Sequence, residues 1–109
     1  MKDTRVSVSL EEIQSMLTPF FQGHRIIKTI VFGSFATGLN SRKSDLDMIL
    51  VMDTEERFFK RHDSGADIYD YLKGVSADIL IDTPRDLERF SHRPFVKRVL
   101  KEGRVIYEC

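Results

Sequence analysis

The chain has 109 residues, 41% of them hydrophobic, enough for one small core and too few for two. Lys plus Arg equals Asp plus Glu at 17 each, a balance that argues against a protein built chiefly to hold nucleic acid by charge. The only cysteine, Cys109, rules out a disulfide framework or a cysteine-rich zinc site and fits a reducing compartment. The opening residues, MKDTRVSVSLEE, lack the apolar core of a signal peptide, and no apolar run reaches membrane-spanning length. The expectation is a cytoplasmic chain with no membrane association, folded as one domain over residues 1–109.

Ser9 to Phe21 reads as a first helix. Ser9 and Glu12 form a capping box, and Leu10, Ile13, Met16, Leu17, Phe20 and Phe21 make one apolar stripe. Pro19 loosens its last turn and Gly23 stops it. Arg25 to Phe32 reads as a strand, Ser34 to Thr37 as a short helical turn closed by Gly38, and Asn40 to Ser44 as a polar loop. Leu46 to Met52 reads as a second strand, apolar on both faces after Asp47 and therefore central. Glu55 to Lys73 is predicted mostly helical and broken at Asp63-Ser64-Gly65, with Phe58, Phe59, Ile68, Tyr69 and Leu72 as core candidates. Gly74 ends that stretch. Ala77 to Ile81 is a third strand, Thr83-Pro84 opens a short helix, Pro94 to Glu102 forms the last helix, and Val105 to Tyr107 closes as a strand. Strands alternating with helices give the class α/β or α+β with a small mixed sheet. His24, His62 and His92 have no metal-like spacing and read as surface residues.

The chemistry concentrates in Ile30 to Met52. Gly33-Ser34 follows an apolar run, and Asp45-Leu46-Asp47 precedes the next one. Glycine lets backbone approach a ligand closely, and N–H groups at a following helical turn attract phosphate. Carboxylates at i and i+2 of a strand share a face and repel unless a cation or a proton intervenes. Oxygen-only ligands favour magnesium or manganese. Asp78, inside the third strand, joins them if the second and third strands are neighbours. Three carboxylates can hold two metal ions, which clamp the attacking and leaving oxygens of an in-line displacement.

Gly33-Ser34, the spacer Phe35 to Ser44, Asp45-Leu46-Asp47 and the later Asp78 together resemble the nucleotidyltransferase superfamily of DNA polymerase β. Ser44 before the first aspartate and the turn GSFATG fit the same pattern. By size the chain resembles the minimal nucleotidyltransferases, MntA-type antitoxins among them, whose catalytic heads pair with HEPN-type proteins in toxin–antitoxin modules. The resemblance implies a polymerase β-like head with helices mainly on one sheet face. It implies Asp45, Asp47 and Asp78 as catalytic and magnesium-binding residues, with two ions, and Gly33 and Ser34 as the triphosphate site. Many relatives carry arginine within the Gly-Ser turn where this chain has Phe35 and Thr37. Arg42, Lys43 or a cation of the Arg57–Arg61 stretch is left to meet the phosphate charge.

The activity that the resemblance implies is transfer of a nucleoside monophosphate, AMP from ATP or another triphosphate, to a hydroxyl on a partner such as a HEPN-type toxin. A small-molecule acceptor of the aminoglycoside type is one alternative, though such enzymes usually add a helical acceptor domain. A non-catalytic antitoxin acting by binding alone is the other, and the intact acids argue against it. A homo-oligomer is compatible with the sequence, and stable nucleic-acid binding is not expected.

Overall fold

The structure, a computed structural model, describes residues 8–40, 44–53, 66–72 and 74–109. Helix α1, Leu10–Gly23, starts where Ser9 accepts the Glu12 N–H at 3.2 Å while its hydroxyl donates to the Glu12 carboxylate at 3.3 Å. The helix runs past Pro19 and includes Gly23, two residues beyond the expected end at Phe21, and its apolar face carrying Phe20 and Phe21 is fully packed. Strand β1, Ile26–Phe32, leads into the four-residue helix α2, Ser34–Thr37, and β2, Leu46–Met52, comes next. A 3₁₀ helix covers Ala66–Tyr71, then come β3, Ala77–Asp82, and α3, Pro84–Arg89. Helix α4, Pro94–Glu102, and strand β4, Arg104–Glu108, complete the described elements. None of the described helices is long and apolar enough to cross a membrane.

The sheet order is β3-β2-β1-β4, with β2 parallel to β3 and the other two pairings antiparallel. This is the mixed α/β sheet expected, with β2 at its centre. Strand period two divides β2 between two layers. Leu46, Met48, Leu50 and Met52 join Ile13, Leu17, Phe20, Phe21 and Ile68 in the main core under α1. Ile49 and Val51 face the other way, against Ile30 and the α4 residue Val99. A register shift between Ile26 and Lys28 lets Ile26 share the main-core face with Val31. Burying each such Leu, Ile or Phe side chain contributes roughly 1.5–3 kcal/mol, so the α1 face carries most of the fold's stability.

Several local expectations need adjusting. Tyr69 is exposed, and Tyr71 instead packs edge-on against Phe20 with ring centroids 5.7 Å apart. His24 is half-buried and stacks on Phe20 at 4.0 Å, with Nδ1 2.9 Å from the Phe20 carbonyl oxygen, so it is a capping residue of α1 and not a free surface group. The helix expected over Glu55 to Lys73 is a 3₁₀ helix where it is described; Arg57, Phe58, Phe59, Arg61, His62 and the break at residues 63–65 lie outside the described residues.

Helix α4 is fixed to the sheet through its end. Gly103 donates to the Val99 carbonyl at 2.8 Å, and a Cβ placed on it would lie 2.4 Å from that oxygen and 2.6 Å from Ile30 Cγ2. Gly23, at the end of α1, has nothing within 4 Å of the same position. Gly103→Ala is therefore expected to destabilise the protein by about 1–3 kcal/mol in urea titrations. Gly23→Ala is expected to stabilise it by roughly 0.4–1 kcal/mol. Equal effects of the two substitutions would show that α4 is not docked as described.

Candidate active site

Register fixes which acids meet. Asp47 pairs with Phe32 across β1 and with Asp78 across β3, so Asp47 and Asp78 lie side by side on the face opposite the main core. Asp47 is half-buried, whereas Asp78 is exposed on the sheet's outer strand. Asp45 stands just ahead of β2, exposed. Among the described residues no Lys or Arg forms an ion pair with any of these three acids. The Asp47 carboxyl is accordingly held above its ordinary value of 3.8, first by burial, then by the charge of Asp78 and lastly by that of Asp45.

The turn after β1 is shaped to this carboxylate. Gly33 has φ 74° and ψ −150°, a conformation essentially reserved for glycine, and a Cβ there would sit 2.6 Å from Asp47 Oδ2. Ser34 begins α2, and its carbonyl accepts the Thr37 hydroxyl at 3.2 Å and the Leu39 N–H at 3.0 Å, which closes the turn tightly. Phe35 and Ala36 point into the main core and anchor α2. A cleft of about 360 Å³ opens beside the turn, walled by Phe32, Gly33, Ala36, Thr37, Asp47 and, from α4, Phe95, Arg98, Val99 and Glu102.

Of the residues singled out by sequence, Gly33 and Asp47 line this cleft, Asp78 adjoins Asp47, and Ser34 and Asp45 flank it without forming its walls. Arg42 and Lys43 lie outside the described residues. The α4 wall is not legible in the sequence. Phe95, Arg98, Val99 and Glu102 recur at helical spacing, but only Val99 is fully buried, so the stripe looks like a solvated face until the sheet beneath it is known.

Carboxylates that repel one another with no basic partner among the described residues, set against a glycine cradle, have the donor chemistry of a site for a hard divalent cation. No three His, Cys, Asp or Glu side chains among the described residues are gathered closely enough to form a ready-made cation cage. The arrangement is a pair, Asp47 and Asp78, with Asp45 within electrostatic range.

A glycine turn and paired carboxylates on a mixed sheet define a phosphoryl- or nucleotidyl-transfer head. The sequence signature described as "Polymerase beta, Nucleotidyltransferase" matches residues 15–109, and the chain belongs to this family of nucleotidyltransferases. It is 29% identical over 102 residues to MJ0604 of Methanocaldococcus jannaschii, covering 91% of this chain and 95% of that one. It is also 30% identical over 90 residues to MJ1305 of the same organism, covering 79% of this chain but only 61% of that relative. Both relatives are named as proposed protein adenylyltransferases. A toxin–antitoxin crystal structure with AMP-PNP shares the fold at TM-score 0.61 and 14% identity, over 88% of this chain and 73% of that one. A proposed nucleotidyltransferase from Sulfolobus solfataricus does so at TM-score 0.55 and 18% identity, over 91% and 79%. A mutant of the MntA–HpeT toxin–antitoxin pair matches at TM-score 0.55 and 12% identity, over 94% and 75%.

The raised Asp47 carboxyl has a consequence for the metal-free protein. Just above pH 3.8 the folded chain holds a proton that the unfolded chain has released, so stability falls as pH rises through that window. Thermal melts in EDTA should show this fall in the wild type and lose it in Asp47→Asn. At neutral pH Asp47→Asn should melt higher than wild type, because it removes a charge disfavoured first by burial and then by its acidic neighbours. A variant that melts lower at neutral pH would mean that Asp47 is held by a favourable partner.

Proposed function

We propose that the protein transfers a nucleoside monophosphate, AMP from ATP, to a hydroxyl group of a partner protein. The observation that carries this reading is the pairing of Asp47 with Asp78 beside the Gly33 turn. It is supported by membership of the nucleotidyltransferase family and by the names of the two archaeal relatives. The toxin–antitoxin structural neighbours motivate the choice of partner, a helical HEPN-type protein.

In this mechanism Gly33 and Ser34 accept the phosphate chain at close backbone range, because no Cβ stands on the Gly33 side of the turn. Asp45, Asp47 and Asp78 would hold magnesium, with Asp47 and Asp78 the adjoining pair. The bound metal supplies positive charge to the phosphates and lowers the proton affinity of the attacking hydroxyl. The acceptor oxygen forms a bond to the α-phosphorus while the bond to pyrophosphate breaks. Asp78, exposed at the outer strand, takes the hydroxyl proton, and pyrophosphate leaves with the electron pair. Arg42 and Lys43, candidates from the sequence pattern alone, lie outside the described residues.

Mass spectrometry of a HEPN-type partner incubated with the protein, ATP and magnesium is the direct test. Wild type should add one or more adenylyl units. Asp47→Asn and Asp78→Asn should each lower the rate roughly 100-fold or more. A partner neutralised equally well by the Asp47→Asn/Asp78→Asn double variant, and never carrying the added mass, would replace transfer with binding alone.

The turn gives a second check. Gly33→Ala forces a Cβ into the Asp47 carboxylate and a side chain into a conformation costing on the order of 1–3 kcal/mol. It should lower both the melting temperature and ATP affinity. Ser34→Ala should lower affinity with little change in melting. Normal ATP binding by both variants would remove the turn from the site.

A further inference from the structure

The polar side chains on the walls of the cleft are Thr37, Asp47, Arg98 and Glu102. Thr37 spends its hydroxyl proton on the Ser34 carbonyl at 3.2 Å. Asp47 and Glu102 are carboxylates. Arg98 is thus the one cationic group lining the cleft among the described residues, and among those residues it has neither ion pair nor hydrogen bond.

An exposed arginine on a helix is ordinarily just solvated, so its placement has to carry the argument. Helix α4 is locked in rotation about its axis. Val99 is 2% exposed among Ile30, Ile49 and Val51, and the Phe95 ring meets Phe32 edge-on at 5.5 Å. Phe95, Arg98, Val99 and Glu102 fall at i, i+3, i+4 and i+7, which is one face, and that face is toward the sheet. Lys97 and Lys101, on the same helix, do not line the cleft. Gly103, pressed against β1, keeps the helix from sliding away.

We infer that Arg98 binds the outer phosphates of the nucleoside triphosphate, the part that leaves as pyrophosphate. The inference rests on the nucleotidyl-transfer reading. Asp47 and Glu102 both repel a polyanion, so a triphosphate entering this cleft needs a fixed positive group on the wall facing Asp47. A guanidinium offers a planar fork of donors that matches two phosphate oxygens at once. Arg98 also holds the charge that builds on pyrophosphate as the bond to the α-phosphorus breaks.

Isothermal titration of the full chain with ATP and with AMP, both with magnesium, separates the outer phosphates from the rest of the nucleotide. Arg98→Ala and Arg98→Gln should weaken ATP about 10–100-fold and leave AMP within about twofold. Arg98→Lys should recover part of the ATP affinity. Lys101→Ala should bind both as wild type does, and the melting temperatures of all four variants without nucleotide should stay near that of wild type. If wild type binds ATP and Arg98→Gln binds it equally well, the inference is wrong and the transfer reading stands. Equal weakening of ATP and AMP would also overturn it, by placing Arg98 elsewhere on the nucleotide or in the packing of α4. Failure of the wild type itself to bind ATP overturns the transfer reading and this inference together.

Discussion

The carboxylate of Asp47 lies against the backbone of Gly33, and much of the molecule is arranged around that contact. Asp47 is the second residue of a strand whose other six residues are all buried. A charge there is costly unless something accommodates it. What accommodates it is the missing side chain at the end of β1, where the next Cβ would be 2.6 Å from Oδ2. The same glycine turns the chain at φ 74° into α2, whose Phe35 and Ala36 then seal the main core. One residue thus ends a strand, starts a helix and leaves an open place beside an acid.

The two faces of the sheet divide the work. The α1 face is covered by a long apolar stripe and the 3₁₀ helix, and it holds most of the buried hydrophobic area. On the opposite face the fully buried residues are Ile30, Ile49, Val51 and Val99, with Ile27, Phe32 and Leu87 packed beside them. Helix α4 touches that face near Val99 and Phe95 and stands away from it toward Asp47, which is why a cleft exists there. A face packed more completely would be more stable and would have no room for a ligand. The close approach of Gly103 to β1 lets so small an apolar patch hold the helix in a definite orientation.

Much of the fold was legible because its signals are local. The bounds of β2, α2 and α4 follow from an apolar run beside Asp45-x-Asp47, from Gly33 and Gly38, and from Pro94 and Gly103. Thr83 caps α3 as the Thr-Pro start suggests, and the structure adds a reciprocal box with Asp86. The neighbouring of Asp47 and Asp78 is legible only conditionally, since sequence names both acids but not which strands adjoin. What stayed hidden was tertiary. The cleft-facing side of α4 mixes one phenylalanine, one arginine, one valine and one glutamate, and no hydrophobic period marks it. His24 reads as a surface residue because its stacking on Phe20 depends on where α1 ends, two residues past the boundary its composition suggests.

The electrostatics of the proposed site make its ligands depend on one another. Without a cation, the Asp47 charge is disfavoured first by burial and then by Asp78 and Asp45, and its raised proton affinity is the sign of that stress. A triphosphate alone would meet the same negative wall and find Arg98 as the cation lining the cleft among the described residues. A divalent cation alone finds two adjoining carboxylates and no closed cage among the described residues. Bound together as proposed, the cation would relieve the carboxylates, and the phosphates would add oxygen ligands beyond those two. Each ligand raises the affinity for the other by the same factor, as linkage requires. On the proposed reading, the repulsion built into β2 and β3 is therefore a modest cost to the empty fold that would be released when nucleotide and metal enter as a pair.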